Sequence, residues 1–207
     1  MLLVEGTSGV GKSTLLDGIL RRYIRDRPPR KVRTLLHLSQ AHTYGPLAQR
    51  EDRGSLTAGE NSQHLETIVS LLEWHVRALT AESTVKFLGL VDTLHLTQCH
   101  RPGVVVWNDV QRFDDRLARA GVRMVFLRAS PEIIWQRGIL PRADDSFIRV
   151  YAHQRFGVTL EQIHAYFVAE QERMQSILDK TVLPYMVLHA EADPDDNVAR
   201  ATDFWLG

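Results

Sequence analysis

Two hydrophobic periods alternate along this chain. Short apolar runs of strand type occur at Met1–Val4, Val32–Leu38, Val85–Val91, Val122–Leu127 and Tyr185–His189. Between them apolar residues recur at about every third or fourth position, the spacing of one helix face. Leu15, Leu16, Ile19, Leu20 and Tyr23 make the first stripe, and Leu65, Ile68, Val69, Leu72, Val76 and Leu79 the second. Val110, Phe113 and Leu117 follow, then Leu160, Ile163, Phe167, Met174, Ile177 and Leu178, and finally Val198, Ala201 and Trp205. Strands alternating with helices predict an α/β fold, a parallel sheet with helices on both faces.

Polar residues mark the helix ends. Thr57–Glu60 and Thr159–Gln162 match the capping box, in which the hydroxyl and the later acid or amide satisfy each other's backbone N–H groups. Ser130-Pro131-Glu132 and Asp193-Pro194 each place a cap residue before a proline suited to the first helical position. Asn108 is the expected cap of the helix carrying Val110, with Gly121 closing it. Pro28-Pro29 ends the first helix, whose basic tail from Arg21 to Arg33 reads as a solvated helix end or a polyanion contact.

Between the first strand and the first helix, Gly6-Thr7-Ser8-Gly9-Val10-Gly11-Lys12-Ser13 fits the phosphate-loop pattern G-x-x-x-x-G-K-[ST], with Thr14 following. Glycines let the backbone curl until successive N–H groups converge on a phosphate, and the helix adds its N-terminal partial charge. Lys12 would reach the β- and γ-phosphates, and the Ser13 hydroxyl would ligate Mg²⁺. A nucleoside triphosphate is the expected ligand.

Asp92 stands at the C-terminal end of the third strand. If that strand neighbours the first, Asp92 lies beside the loop and holds Mg²⁺ through water or takes a proton from a substrate hydroxyl. The other reading is a helix cap for Thr93 to Cys99. Residues 39–61 are polar and long for a connection, and they follow a strand end where doubly wound sheets bind ligands. That segment is therefore expected to bind substrate, with His42, Arg50 and Arg53 as contacts, or else to face solvent. Trp74 and His75, off the middle of their stripe, either line a cleft or pack at the core edge.

Composition narrows the setting. The chain has 207 residues, 44% hydrophobic and 24% charged, with formal net charge zero and one cysteine, Cys99. That suits a single domain spanning 1–207. Zero net charge argues against nucleic-acid or anionic-membrane partners, and one cysteine excludes an internal disulfide and fits a reducing, cytoplasmic setting. No apolar run approaches the ~20 residues of a membrane span, and no signal peptide is apparent.

The chain resembles the phosphate-loop nucleoside and nucleotide kinases, nearest to the thymidylate kinases. The likeness rests on VEGTSGVGKST at residues 4–14, on Val91-Asp92, and on VFLRASPEIIWQRGILPR at residues 125–142. It implies a three-layer phosphate-loop NTPase domain with a five-stranded sheet in the order 2-3-1-4-5, placing Asp92 next to the loop. It also implies a lid at about 136–146, whose Arg137 and Arg142 would close over the phosphates; a surface salt link is their other reading. Thymidylate kinases carry Arg where Thr93 stands and Arg-Glu-Pro-Gly where Ser39-Gln40-Ala41-His42 stand. Both family motifs serve the acceptor, so thymidylate is not the expected substrate.

The function expected is an ATP- and Mg²⁺-dependent kinase of a small molecule: a nucleotide, a nucleoside or another hydroxyl or phosphate acceptor. Relatives pair through helices beside the third strand, so the stripe at 65–79 makes either a homodimer interface or an internal core. A nucleotide-dependent switch, a regulatory ATPase or a degenerate ATP-binding scaffold acting through a protein partner is the alternative. Guanine-type Asn-Lys-x-Asp and ABC-type Ser-Gly-Gly signatures are both absent from the sequence.

Overall fold

The computed structural model describes residues 1–26, 33–47, 55–80, 86–99, 106–143 and 157–207. Five parallel strands make one sheet in the order β2-β3-β1-β4-β5, as the resemblance implied. They are β1 (Leu2–Glu5), β2 (Arg33–Leu38), β3 (Lys86–Asp92), β4 (Arg123–Arg128) and β5 (Tyr185–His189). The helices are α1 (Lys12–Asp26), α2 (Gln40–Thr43), α3 (Ala58–Thr80), α4 (His95–Cys99), α5 (Trp107–Arg119), α6 (Pro131–Ile133), α7 (Leu160–Leu178) and α8 (Pro194–Leu206). Among the described residues no helix is long and apolar enough to cross a membrane.

Strand alternation divides the interior into two cores. Leu2 and Val4 point to one face of the sheet with Leu90, Val125 and Leu127, where α1 and α8 cover them through Leu16, Ile19, Ala201 and Trp205. Leu3, Val91, Met124 and Phe126 point to the other face, covered by Leu65, Val69 and Leu72 of α3 and by Val110, Phe113 and Leu117 of α5. Helix α7 belongs to both, with Ile163 and Phe167 in the first core and Met174 in the second. Leu65, Ile68, Val69 and Leu72 of that stripe thus pack on their own sheet, while Trp74 stays 59% exposed.

Most of the expected caps form. Thr57 and Glu60 exchange hydrogen bonds at 3.1 and 3.2 Å, and Thr159 and Gln162 do so at 3.3 Å. Asp193 Oδ1 accepts from Asp195 and Asp196 N–H at 2.9 and 3.0 Å. Gly121, at φ 70°, ends α5 in a Schellman turn, with Gly121 N–H bonded to Ala118 and Val122 N–H to Leu117.

The cap predicted at Asn108 is a correction. Helix α5 begins at Trp107, and the cap position falls on Val106, whose side chain cannot accept a hydrogen bond. Asp109 instead reaches back to Val106 N–H at 3.0 Å, so the anchor is the acid in the first turn. Of residues 39–61, read as a long polar connection, the described part holds the helical turn α2, a further helical stretch at 45–47 and the first turn of α3.

Two buried carboxylates fasten α4, the short helix after β3. Glu5, fully buried, accepts from Leu94 N–H at 2.9 Å, Leu96 N–H at 3.1 Å and the Thr97 hydroxyl at 2.6 Å. Asp114 accepts from His95 Nε2–H at 2.8 Å, the Thr181 hydroxyl at 2.6 Å and Val182 N–H at 2.8 Å. Burial pushes the Asp114 carboxyl up, but hydrogen bonding and the facing charge of His95, with Thr181 and Val182, outweigh it and leave it below the usual range.

Candidate functional site

The phosphate-loop residues leave β1 at its C-terminal end, with β3 and β4 on either side. Val4 pairs with Asp92 and with Val125, so the loop starts at the middle of the sheet's edge. Gly6, Gly9 and Gly11 all take positive φ, at 145°, 80° and 102°. That conformation explains the pattern's fixed glycines, Gly6 and Gly11, and the further glycine at Gly9, and at Gly6 and Gly9 space adds a second reason. A Cβ on Gly6 would strike the carbonyl of Leu127, and one on Gly9 would strike the backbone of Gly138.

Lys12 is buried and lies across its own loop, its Nζ donating to the carbonyls of Gly6 at 2.8 Å and Thr7 at 2.9 Å. Ser13 and Thr14, at the start of α1, are exposed. The Thr7 hydroxyl donates to the Glu170 carboxylate on α7. Next to it, Gln171 grips Ala129 with both ends of its amide, each bond 2.8 Å. Neighbouring residues of one helix thus hold the phosphate loop and the exit of β4. The sequence reading missed both, because at positions 170 and 171 they look like ordinary polar helix residues.

Beyond β4 the chain turns back over the loop. Ser130 caps α6, accepting from Ile133 N–H at 3.3 Å. The helix then widens to a π-helical turn at Ile134–Ile139 and tightens to a 3₁₀ turn at Leu140–Arg142, where a regular helix was expected. Ile134 and Ile139 are both fully buried, Gly138 rests on Gly9, and Arg137 projects outward. Arg137 donates to the carbonyl of Ala190 at 2.8 Å, tying this turn to the segment after β5. The expected lid ran to about 146; residues 144–146 lie outside the described residues.

A cavity of about 540 Å³ opens between these parts. Its wall includes Ser8 to Thr14, so Gly9, Val10, Gly11, Lys12 and Ser13 face it together with Arg137 and Arg142. Gly6 and Thr7 are not in the wall; they shape the loop from below. The sequence grouped the loop with both arginines, and the fold brings them to one space.

Arg21, Gln40 and the residues Ala190, Ala192, Pro194, Asp195 and Asn197 also line the cavity. Arg21 had been read as part of a basic helix end, and the segment 190–197 carried no site expectation.

Asp92 is placed differently. It is the last residue of β3 rather than the residue after it, it is 4% exposed, and it does not line the cavity. Its Oδ1 accepts from the Thr93 hydroxyl at 2.9 Å, and its carbonyl accepts from the Thr43 hydroxyl at 2.7 Å. Thr93 sits at φ 64°, costly for a β-branched residue, so the backbone beside Asp92 is strained. Glu5, not Asp92, caps α4.

His42 is exposed and pairs with Ser39 at 3.1 Å; Arg50 and Arg53 lie outside the described residues. Trp74 and His75 meet edge to face at 4.9 Å, away from the cavity.

Among the described residues no group of three or more His, Cys, Asp or Glu side chains could hold a metal ion. Ser13, exposed at the start of α1, is the residue here that would hold a Mg²⁺ carried by substrate phosphates.

No protein-family model matches the chain, and no curated protein matches it. Among solved structures it is similar to the crystal structure of the YorR protein from Bacillus subtilis in complex with phosphorylated GDP, at a TM-score of 0.55 and 13% identity. The match covers 98% of this chain and 93% of that one. The likeness spans nearly the whole of both chains, and at that identity it establishes a shared α/β fold built on a parallel sheet.

Proposed function

We propose that this protein is a nucleotide-dependent small-molecule kinase. The observation that carries the reading is the single cavity lined by the phosphate loop, Lys12, Ser13, Arg137 and Arg142. The YorR protein, similar in fold, was solved with a bound nucleotide, which supports the same ligand class. In this reading the triphosphate lies along the loop's N–H groups and α1's N-terminus. Lys12 would neutralise the β- and γ-phosphates, and Ser13 would hold a Mg²⁺, which supplies further charge neutralisation when bound. Arg137 and Arg142 stabilise charge on the transferring group.

The acceptor oxygen attacks the γ-phosphorus, the bond to the β–γ bridging oxygen breaks, and the nucleoside diphosphate leaves. Asp92, expected to orient the metal or the nucleophile, ends β3 beside Val4 but is buried and off the cavity wall, so no proton-transfer step is given to it in this reading. Catalysis is then positioning and electrostatics rather than covalent chemistry.

The test follows ADP release from Mg·ATP in the presence of pooled nucleosides, nucleoside monophosphates or hydroxyl-bearing antibiotics. One pool should accelerate release, and Lys12→Ala should lower the rate at least about a hundredfold. Binding of ATP with no pool raising turnover above the Lys12→Ala level would discard the kinase reading in favour of a switch or scaffold.

A further inference from the structure

Thr7 and Ser8 stand between Gly6 at φ 145° and Gly9 at φ 80°, and glycine sets few torsional limits on either side of them. Lys12 nevertheless depends on where this stretch of backbone points. An ammonium has three N–H donors, and among the described residues two of those on Lys12 go to the carbonyls of Gly6 and Thr7, at 2.8 and 2.9 Å. The third is left for whatever occupies the cavity that Lys12 lines. The two carbonyls therefore aim it.

The side chain of Thr7 is used elsewhere. It is 1% exposed and off the cavity wall, and its hydroxyl donates to Glu170 on α7, itself 7% exposed. Glu170 sits in a firmly held stretch of helix. Phe167 and Met174 on either side of it reach into the two cores, and Gln171 holds Ala129 through both ends of its amide at 2.8 Å. A buried carboxylate keeps its donors close, because an interior charge left without them is costly. The bond from Thr7 to Glu170 thus joins a fixed helix to a stretch of loop that its flanking glycines leave loose.

We propose that Glu170 is a positioning residue for Lys12. Through the Thr7 hydroxyl it holds the Thr7 backbone, and the Thr7 carbonyl in turn sets the direction of the ammonium. The purpose given to this arrangement rests on nucleotide binding in the cavity: a triphosphate then meets a lysine already aimed, and its affinity is not lowered by having to order that side chain. Glu170 itself touches no ligand in this account, since Thr7 stands between it and Lys12.

Two measurements on the full chain test this, each in wild type, Thr7→Val, Thr7→Ser and Glu170→Ala. The first is amine-selective acylation without nucleotide, read by mass spectrometry as labelling of Lys12 relative to the exposed Lys180. Thr7→Val and Glu170→Ala should raise that ratio at least about threefold, since acceptor bonds favour the charged, unreactive form of an amine. Thr7→Ser keeps the hydroxyl and should leave the ratio near wild type. The second is calorimetric titration with Mg·ATP. Thr7→Val and Glu170→Ala should bind about tenfold more weakly, the value of one hydrogen bond to a charged group, with Thr7→Ser within about twofold of wild type.

Unchanged Lys12 labelling in Thr7→Val overturns the proposal even if ATP binding weakens, because the loop would then act without Lys12. A loss in Thr7→Val that Thr7→Ser shares overturns it as well, since packing and not the hydroxyl would be responsible. The Thr7 pair decides alone if Glu170→Ala folds poorly, because Glu170 is the partner of that hydroxyl. Wild type that fails to bind Mg·ATP, with labelling changed as expected, overturns the nucleotide reading and upholds the aiming of Lys12.

Discussion

Glu5 offers the sharpest test of how the site is supported. It is fully buried between β1 and the phosphate loop, and it accepts from two backbone N–H groups and one hydroxyl around the start of α4. Glu5→Ala strands the Leu94 and Leu96 N–H groups away from water, at about 1–3 kcal/mol each. The total is therefore about 2–6 kcal/mol. For a chain of this size, that lowers the melting temperature by roughly 5–20 °C.

Glu5→Gln keeps an oxygen for the two amides, and the Thr97 hydroxyl can turn to accept. Only the charge assistance goes, worth about 1–2 kcal/mol. The shift should then be roughly 2–8 °C, clearly smaller than for alanine. Scanning calorimetry of the three proteins decides it. A Glu5→Ala protein melting within about 2 °C of wild type would show that water or backbone relaxation satisfies those amides, refuting the clamp.

Gly9→Ala sets a side chain at φ 80° and into the backbone of Gly138, so it should weaken ATP binding at least about tenfold by titration. Gly138→Ala meets Ser8 O at 3.4 Å, Gly9 Cα at 3.6 Å and Ile134 Cγ2 at 3.9 Å, all ordinary contacts, and should stay near wild type; equal effects would argue against the glycine contact. Asp114 titrates below the usual carboxylate range, so its stabilisation is complete above the unfolded value near ~4 and is lost as pH falls through the folded value. Asp114→Asn should therefore melt well below wild type at neutral pH, and the gap should narrow in melts run below about pH 4. Burial, helped by Glu5, Asp109 and Asp114, pushes the Cys99 thiol up to about 12. Native protein at neutral pH should accordingly resist iodoacetamide, while urea-unfolded protein should react at the rate of a free thiol; rapid native labelling would contradict that burial.

The sequence by itself determined the parts whose causes are local. The curled backbone between β1 and α1 was legible because Gly6, Gly9 and Gly11 take positive φ and Lys12 bonds to carbonyls within the same few residues. The caps at Thr57, Ser130, Thr159 and Asp193 were legible for the same reason, each closing a bond within a single turn. The cap near Asn108 was misplaced by the same logic, since Asp109 in the first turn does that work from the other side. Alternation gave the parallel sheet and the family likeness implied its strand order, and the sheet bears both out.

Only the tertiary structure decided what depends on distant partners. Glu5 bonds to Thr97 across 92 positions and Thr7 to Glu170 across 163, and no periodicity records either pairing. The meeting of Gly9 with Gly138 is likewise a product of the fold. So is the withdrawal of Asp92 from the cavity wall, which follows from its ending β3 instead of starting the next loop. Torsions and caps are set by neighbours in the chain; burial and orphaned donors or acceptors are set by whatever the sheet and its helices bring alongside.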